Sequence, residues 1–259
     1  MLDSTTVPQC SKIGDWDPST GNIEIDDDEV SDDPAKLAAL IVRGMNGSGY
    51  GTNSKKVVVR SQTFDANNIP GLDQNSYGVQ ISQGASVSFC SSTFLAKGAR
   101  EGVYNLGTTL NIVNSTLKGG PYMSGLGVLA GTTTIVGTNT SIVGAYLQTQ
   151  GIGIDAPKPV LIIYGGTFEG PVERKYGYLY VWGGEFKGGI SNEFPTEGIE
   201  IRYIGPQPYR ANNVNTLCDG SAMPTISGEI AYPYVRYVPC PCAQQGGRPY
   251  EVPTFSECE

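Results

Sequence analysis

Gly102-Val103-Tyr104, then Gly107-Thr108-Thr109-Leu110-Asn111-Ile112, then Ser115-Thr116-Leu117 form one unit of a repeating pattern. It holds three short runs in which apolar and polar residues alternate, separated by Gly, Asn or Ser. Alternation turns the apolar side chains to one face and the polar ones to the other. Runs this short do not make sandwich strands, but they suit the sides of a coil. The stretch before it has the same grammar: Gly78-Val79-Gln80-Ile81, Gly84-Ala85-Ser86-Val87-Ser88-Phe89 and Ser92-Thr93-Phe94. The stretch after it repeats the pattern with Gly125-Leu126-Gly127-Val128, Gly131-Thr132-Thr133-Thr134-Ile135-Val136 and Ser141-Ile142.

The closing element of each coil recurs along the chain. Thr63-Phe64, Thr93-Phe94, Thr116-Leu117, Ser141-Ile142, Thr167-Phe168 and Glu185-Phe186 follow at steps of 30, 23, 25, 26 and 18 residues. A period in the twenties is the mark of a solenoid, in which each repeat stacks on the last. The apolar member of each element is expected in one interior column. A fourth coil is read at Gly151-Ile152-Gly153-Ile154, Val160-Leu161-Ile162-Ile163 and Gly165-Gly166-Thr167-Phe168. A shorter fifth holds Tyr178-Leu179-Tyr180-Val181-Trp182 and Gly183-Gly184-Glu185-Phe186, and Gly198-Ile199-Glu200-Ile201 matches the opening strand of another.

Over residues 37–205 this pattern resembles the right-handed parallel β-helix of the pectin-lyase-like superfamily. The expected fold is all-β: a right-handed parallel β-helix solenoid with a disulfide-stapled irregular C-terminal tail. The expected divisions are an acidic lead-in at 1–36, the β-helix at 37–205 and a Cys/Pro/Tyr-rich extension at 206–259. A two-sheet sandwich competes, but it does not require the Thr-apolar element to return at coil-length steps.

Composition narrows the function. Only 16% of residues are charged and the net charge is −8, against the roughly one quarter charged in an average soluble domain. Without clusters of Lys and Arg, neither nucleic acid nor an anionic membrane is an expected partner. No apolar run approaches the roughly 20 residues of a membrane span, so no membrane insertion is expected. The sequence contains no histidine. That removes the commonest general base, the commonest metal ligand and every Ser-His or Cys-His arrangement.

Between Glu24 and Asp33 seven of ten residues are acidic. Their hard oxygens make Ca²⁺ the one candidate cofactor, but EF-hand spacing and a Gly-Gly-x-Gly-x-Asp repeat are both missing. The run reads as a solvated linker, and neither a metal site nor a cofactor is expected. Lys36-Leu37-Ala38-Ala39-Leu40-Ile41-Val42 is the one expected helix, capping the open end of the coils.

Six cysteines are disulfide candidates: Cys10, Cys90, Cys218, Cys240, Cys242 and Cys258. Four crowd the C-terminal extension, and Cys240-Pro-Cys242 is too tight for a zinc-type pair. Disulfides in an oxidising setting fit better than six buried thiols, with the connectivity open. Asn46, Asn114 and Asn139 begin N-glycosylation triplets. The expected location is extracellular or surface-associated, a virion included.

The resemblance implies cleavage or epimerisation of polysaccharides, which has to be argued from residues. Polygalacturonase-like members use paired aspartates near a histidine and an Arg-Ile-Lys stretch; here Ile201-Arg202-Tyr203 is the nearest echo and lacks the lysine. The Tyr-Gly-Asp-Pro-His element of alginate epimerase-like members is missing. Pectate-lyase-like members need several calcium-binding acids on one face, yet Glu101, Asp155 and Glu169 are the only acids between Tyr77 and Gly170. Glu169 and Glu185 are the best carboxylate pair, but they flank Phe168 and Phe186 on opposite sides and need not share a face.

Arg174 and Lys175 with Tyr176, Tyr178 and Tyr180 read either as a sugar-stacking surface or as ordinary strand formers. Thr132-Thr133-Thr134 and Thr138-Asn139-Thr140 suggest an ice-binding array, but one confined to a single coil is explained by cross-strand pairing. No catalytic residue is named. The sequence predicts a non-enzymatic structural or adhesive subunit of an extracellular or surface assembly: an appendage, filament, cell wall or virion spike. It would assemble through its coil ends and tail with another copy or a neighbouring subunit, with a glycan as a further partner. The alternative is a polysaccharide lyase or hydrolase with an atypical site.

Overall fold

The computed structural model describes residues 22–23, 55–68, 77–81, 85–107, 109–148, 158–194, 198–205, 209, 215–227, 235–240, 252–255 and 258. The predicted helix at 36–42, the acidic run, Cys10, Cys242, Asn46 and Asp155 lie outside these residues. Among the described residues there is no α-helix. After β1 (Asn22–Ile23), strands come in threes. The first coil is β2 (Lys55–Arg60), β3 (Thr63–Asp65) and β4 (Val79–Ile81), and the second is β5 (Ala85–Cys90), β6 (Thr93–Leu95) and β7 (Val103–Asn105). The third is β8 (Thr109–Val113), β9 (Thr116–Lys118) and β10 (Leu126–Val128), and the fourth is β11 (Thr132–Val136), β12 (Ser141–Ile142) and β13 (Ala145–Leu147). Next come β14 (Val160–Ile163), β15 (Thr167–Phe168) and β16 (Val172–Arg174), then β17 (Tyr178–Val181), β18 (Glu185–Phe186) and β19 (Ile190–Asn192). The last strands are β20 (Ile199–Ile204), β21 (Thr216–Leu217), β22 (Ile226–Ser227) and β23 (Val235–Pro239).

Like strands of successive coils pair in parallel. Sheet I runs β1-β2-β5-β8-β11-β14-β17-β20, sheet II runs β3-β6-β9-β12-β15-β18, and sheet III runs β4-β7-β10-β13-β16-β19-β22. This is a parallel β-helix, and right-handed winding is the sense that twisted strands favour in parallel crossovers. Each coil adds about 4.8 Å to the stack. Register places Phe64, Phe94, Leu117, Ile142, Phe168 and Phe186 in one column. The first five are at most 1% exposed, and Phe186 at the end of the column is half-buried. The column read from the sequence is therefore present.

Two strand assignments differ from the sequence reading. The strand that follows β12 in sheet III is β13, not residues 151–154, which lie outside the described residues. Ile199–Ile201 does not lie in sheet III with the strands Val79–Ile81, Val103–Asn105 and Leu126–Val128 that it matches in sequence; it pairs with β17 in sheet I. The reason is turn length. Only Val143-Gly144 or Lys187-Gly188-Gly189 separates a sheet II strand from the next one, with Gly144 at φ 152 and Gly189 at φ 70. Chain reversal that tight brings the next strand to sheet III sooner than the apolar pattern suggests.

The corner between sheets I and II carries a polar ladder inside the coil. Gln62 N–H donates to Ser92 Oγ at 3.2 Å and Ser92 N–H to Ser115 Oγ at 3.0 Å. Ser115 and Thr140 hydroxyls donate to the carbonyls of Val113 and Val136 at 2.9 and 2.6 Å. Buried backbone groups at a sharp corner need such partners.

The C-terminal extension is not wholly irregular. β22 continues sheet III, and β23 pairs in parallel with β20. β21 runs antiparallel to the end of β20, and Cys218 N–H donates to the Trp182 carbonyl. Cys218 is bonded to Cys240, and Cys90 to Cys258. Val59 and Phe89 point inward, so Cys90 points out of sheet I and Cys258 lies on the outer face at the second coil. Outward residues of sheet I in register there (Ser88, Asn111, Thr134 and Ile162) are no more than 8% exposed. That face is covered, and Phe255 of the returning chain is itself buried. Two disulfides mark a chain formed in an oxidising environment.

Candidate functional site

The outer face of sheet III carries the most developed cluster. The middle residues of its strands align as Gln80, Tyr104, Gly127, Tyr146, Glu173 and Ser191. Each sits between two inward neighbours, so strand alternation aims it at solvent. Gly127 leaves a gap in this row, and the Tyr146 ring fills it. A Cβ at Gly127 would fall 2.6 Å from the Tyr146 hydroxyl oxygen. The side chain thus reaches along the axis from the fourth coil to the second, where its hydroxyl donates to Glu101 Oε1 at 2.7 Å.

Glu101 is buried, 5% exposed, and separated from β7 by Gly102 alone. Burial first, then the hydrogen bond to Glu101 and that carboxylate's charge, push the Tyr146 phenol far above its ordinary range. Tyr77 and Tyr104 lie beside it with ring centroids 4.8 Å apart, and burial raises both phenols as well. The Arg100 guanidinium stands 5.0 Å over the Tyr77 ring and donates to its hydroxyl at 3.1 Å. At the other edge, Lys175 lies 6.0 Å from the Tyr146 ring and pairs with Glu173 at 3.3 Å and Glu193 at 3.7 Å. The arrangement is a row of fixed aromatic faces rimmed by charges of both signs. It can stack on flat or puckered rings and hydrogen-bond at its margins.

The surface read at Arg174, Lys175, Tyr176, Tyr178 and Tyr180 is not one surface. Arg174 points into the coil, 3% exposed, and donates to the Gly177 carbonyl at 3.0 Å and to Asn192 Oδ1 at 2.9 Å. Lys175 faces the sheet III cluster, while Tyr178 and Tyr180 stack on the outside of sheet I with Lys158 over Tyr178. A single turn at Tyr176-Gly177 divides them between two sheets.

Glu169 and Glu185 do share a face. Phe168 and Phe186 point inward in register, so the flanking carboxylates both point out of sheet II, diagonally across neighbouring coils. Lys187 pairs with Glu169 at 2.8 Å, and that bond holds its ammonium above the ordinary lysine range. Thr167 donates to Glu185 at 3.4 Å. The threonines of the fourth coil are also divided: Thr133 is interior and accepts from Asn105 Nδ2 at 2.9 Å. The regular hydroxyl column lies on sheet II instead, as Thr63, Thr93, Thr116, Ser141 and Thr167. Asn114 and Asn139 are exposed on one corner of neighbouring coils.

Sequence reading passed over Tyr77, Tyr104, Tyr146 and Gly127. Two outward tyrosines separated by an outward glycine are the signal, but it appears only once the coils are set in register. Among the described residues, no group of three or more metal-ligating side chains is gathered. No protein-family model matches the chain, and no curated protein and no solved structure matches it either.

Proposed function

We propose that the chain is a non-enzymatic structural or adhesive subunit of an extracellular or surface assembly, and that the tyrosine face of sheet III is its contact surface for a glycan. The observation that carries this reading is the Tyr77, Tyr104 and Tyr146 cluster: Tyr104 and Tyr146 stand on parallel strands, Tyr77 packs on Tyr104 from the residues just before β4, and the Tyr146 hydroxyl is anchored on buried Glu101. Tyrosine offers large contact area at low entropic cost, and a ring fixed before binding loses little freedom on binding. Membership of the pectin-lyase-like superfamily remains part of the proposal, on the coil pattern alone. A rod with contacts on its side and its ends suits an appendage, filament, cell wall or virion spike.

The test is incubation with a panel of neutral and acidic polysaccharides, reading retention and released products together. Retention without products, weakened at least tenfold by Tyr104→Ala, supports the adhesive reading. Product release abolished by Glu101→Gln would replace it with the lyase or hydrolase reading.

A further inference from the structure

The second disulfide joins two points far apart in the chain. Cys90 ends β5 in the second coil, and Cys258 lies 168 residues later. Everything from Ser91 to Glu257 therefore sits inside one covalently closed loop. That loop contains all of β6 to β23 and, with them, Tyr104, Tyr146 and Glu101; Tyr77 lies outside it. Cys218–Cys240 closes a smaller loop of 22 residues within it.

A pull applied to both sides of the chain follows the shortest covalent route. It enters through the residues before Cys90, crosses the disulfide, and leaves from Cys258 toward Glu259 and whatever follows. The non-covalent ladders of β6 to β23 are off that route. Only β1 to β5 carry load, and they can peel one strand at a time from the N-terminal end of the stack.

We infer that Cys90–Cys258 is a tension bypass: it keeps β6 to β23 folded while the chain is pulled, and limits extension to the segment that ends at Cys90. This is a mechanical function, independent of what the tyrosine face binds. It leaves the coils from β6 onward holding their shape under load.

Single-molecule force extension of the full chain between marker domains tests this, with Cys10→Ser and Cys242→Ser so that only the two bonds described can form. Oxidised molecules should release no more than about 320 Å of contour length, the reach of the residues before Cys90. Adding reductant to folded molecules should lengthen the release by about 600 Å. Cys258→Ser should lengthen it by about 520 Å, because Cys218–Cys240 still withholds its loop. The reductant arm works on protein already folded, so a folding defect in Cys258→Ser does not decide the result. Equal contour lengths for oxidised and reduced molecules would overturn the inference.

Discussion

Phe94→Ala probes the column on which the coil reading rests. Phe94 is 0% exposed, stacked between Phe64 and Leu117 in register, with its ring centroid 4.1 Å from that of Phe89. Burying a phenylalanine contributes about 1.5–3 kcal/mol of transfer free energy. The cavity left behind adds about 24 cal/mol per Å³, and half of a benzyl volume left open would contribute roughly 1–2 kcal/mol. The sum is about 3–5 kcal/mol. Parallel strands on both sides restrain collapse, which favours the upper half of that range. Phe186→Ala is the internal comparison, because Phe186 is half-buried at the end of the described column, its ring stacked at 5.0 Å on Phe168. It should cost about 1–2 kcal/mol on the same area argument. Denaturant unfolding of oxidised protein, with hydrogen exchange to localise the loss to adjacent coils, measures both. If Phe94→Ala costs under 1 kcal/mol, or no more than Phe186→Ala, the column is not the continuous interior described here.

Gly127→Ala places a methyl group where the Tyr146 hydroxyl lies, so it should displace that ring, break the bond to Glu101 and cost about 1–3 kcal/mol. Near-ultraviolet circular dichroism and thermal unfolding would register it, and an unchanged aromatic spectrum would contradict the packing. Tyr146, Tyr104 and Tyr77 all titrate above the free phenol value of 10.0. The unfolded chain then loses its phenolic protons first, so their contribution is complete below pH 10 and declines as pH rises beyond it. A melting temperature that holds steady or rises from pH 9.5 to 11 would go against this.

Much of the fold was legible because the Thr-apolar element is chemically constrained at every coil. Its apolar member must fill the interior and its polar member, a hydroxyl in five of the six, must face out, so the pair recurs even when coil lengths change. Sheet III was harder to read. Val172-Glu173-Arg174 and Ile190-Ser191-Asn192 are strands only because three-residue turns deliver them to the sheet; Arg174 and Asn192 even carry polar groups into the interior. The candidate surface was hidden for a related reason. Tyr146 and Glu101 are 45 residues apart, and nothing in either segment announces the other. Their meeting depends on an exact coil count and on the missing side chain of Gly127. The cysteines were legible as disulfide formers, while the partner of Cys90 depended on where the chain returns.

That return also bounds how large the molecule can become. Stacked coils have no intrinsic length, and duplication of one coil adds a layer without disturbing its neighbours. Here the layers from β5 to β23 are spanned by six inter-strand steps, about 29 Å. The chain from Cys240 to Cys258 must cover that span, and its 18 residue steps reach at most about 60 Å. Duplicated coils can accumulate until the span reaches that limit, roughly six more layers. Beyond it, either Cys90–Cys258 is lost or the returning segment lengthens in step. The clasp is a measuring tape, and variation in coil number among chains built this way should be tied to the spacing of their last cysteines.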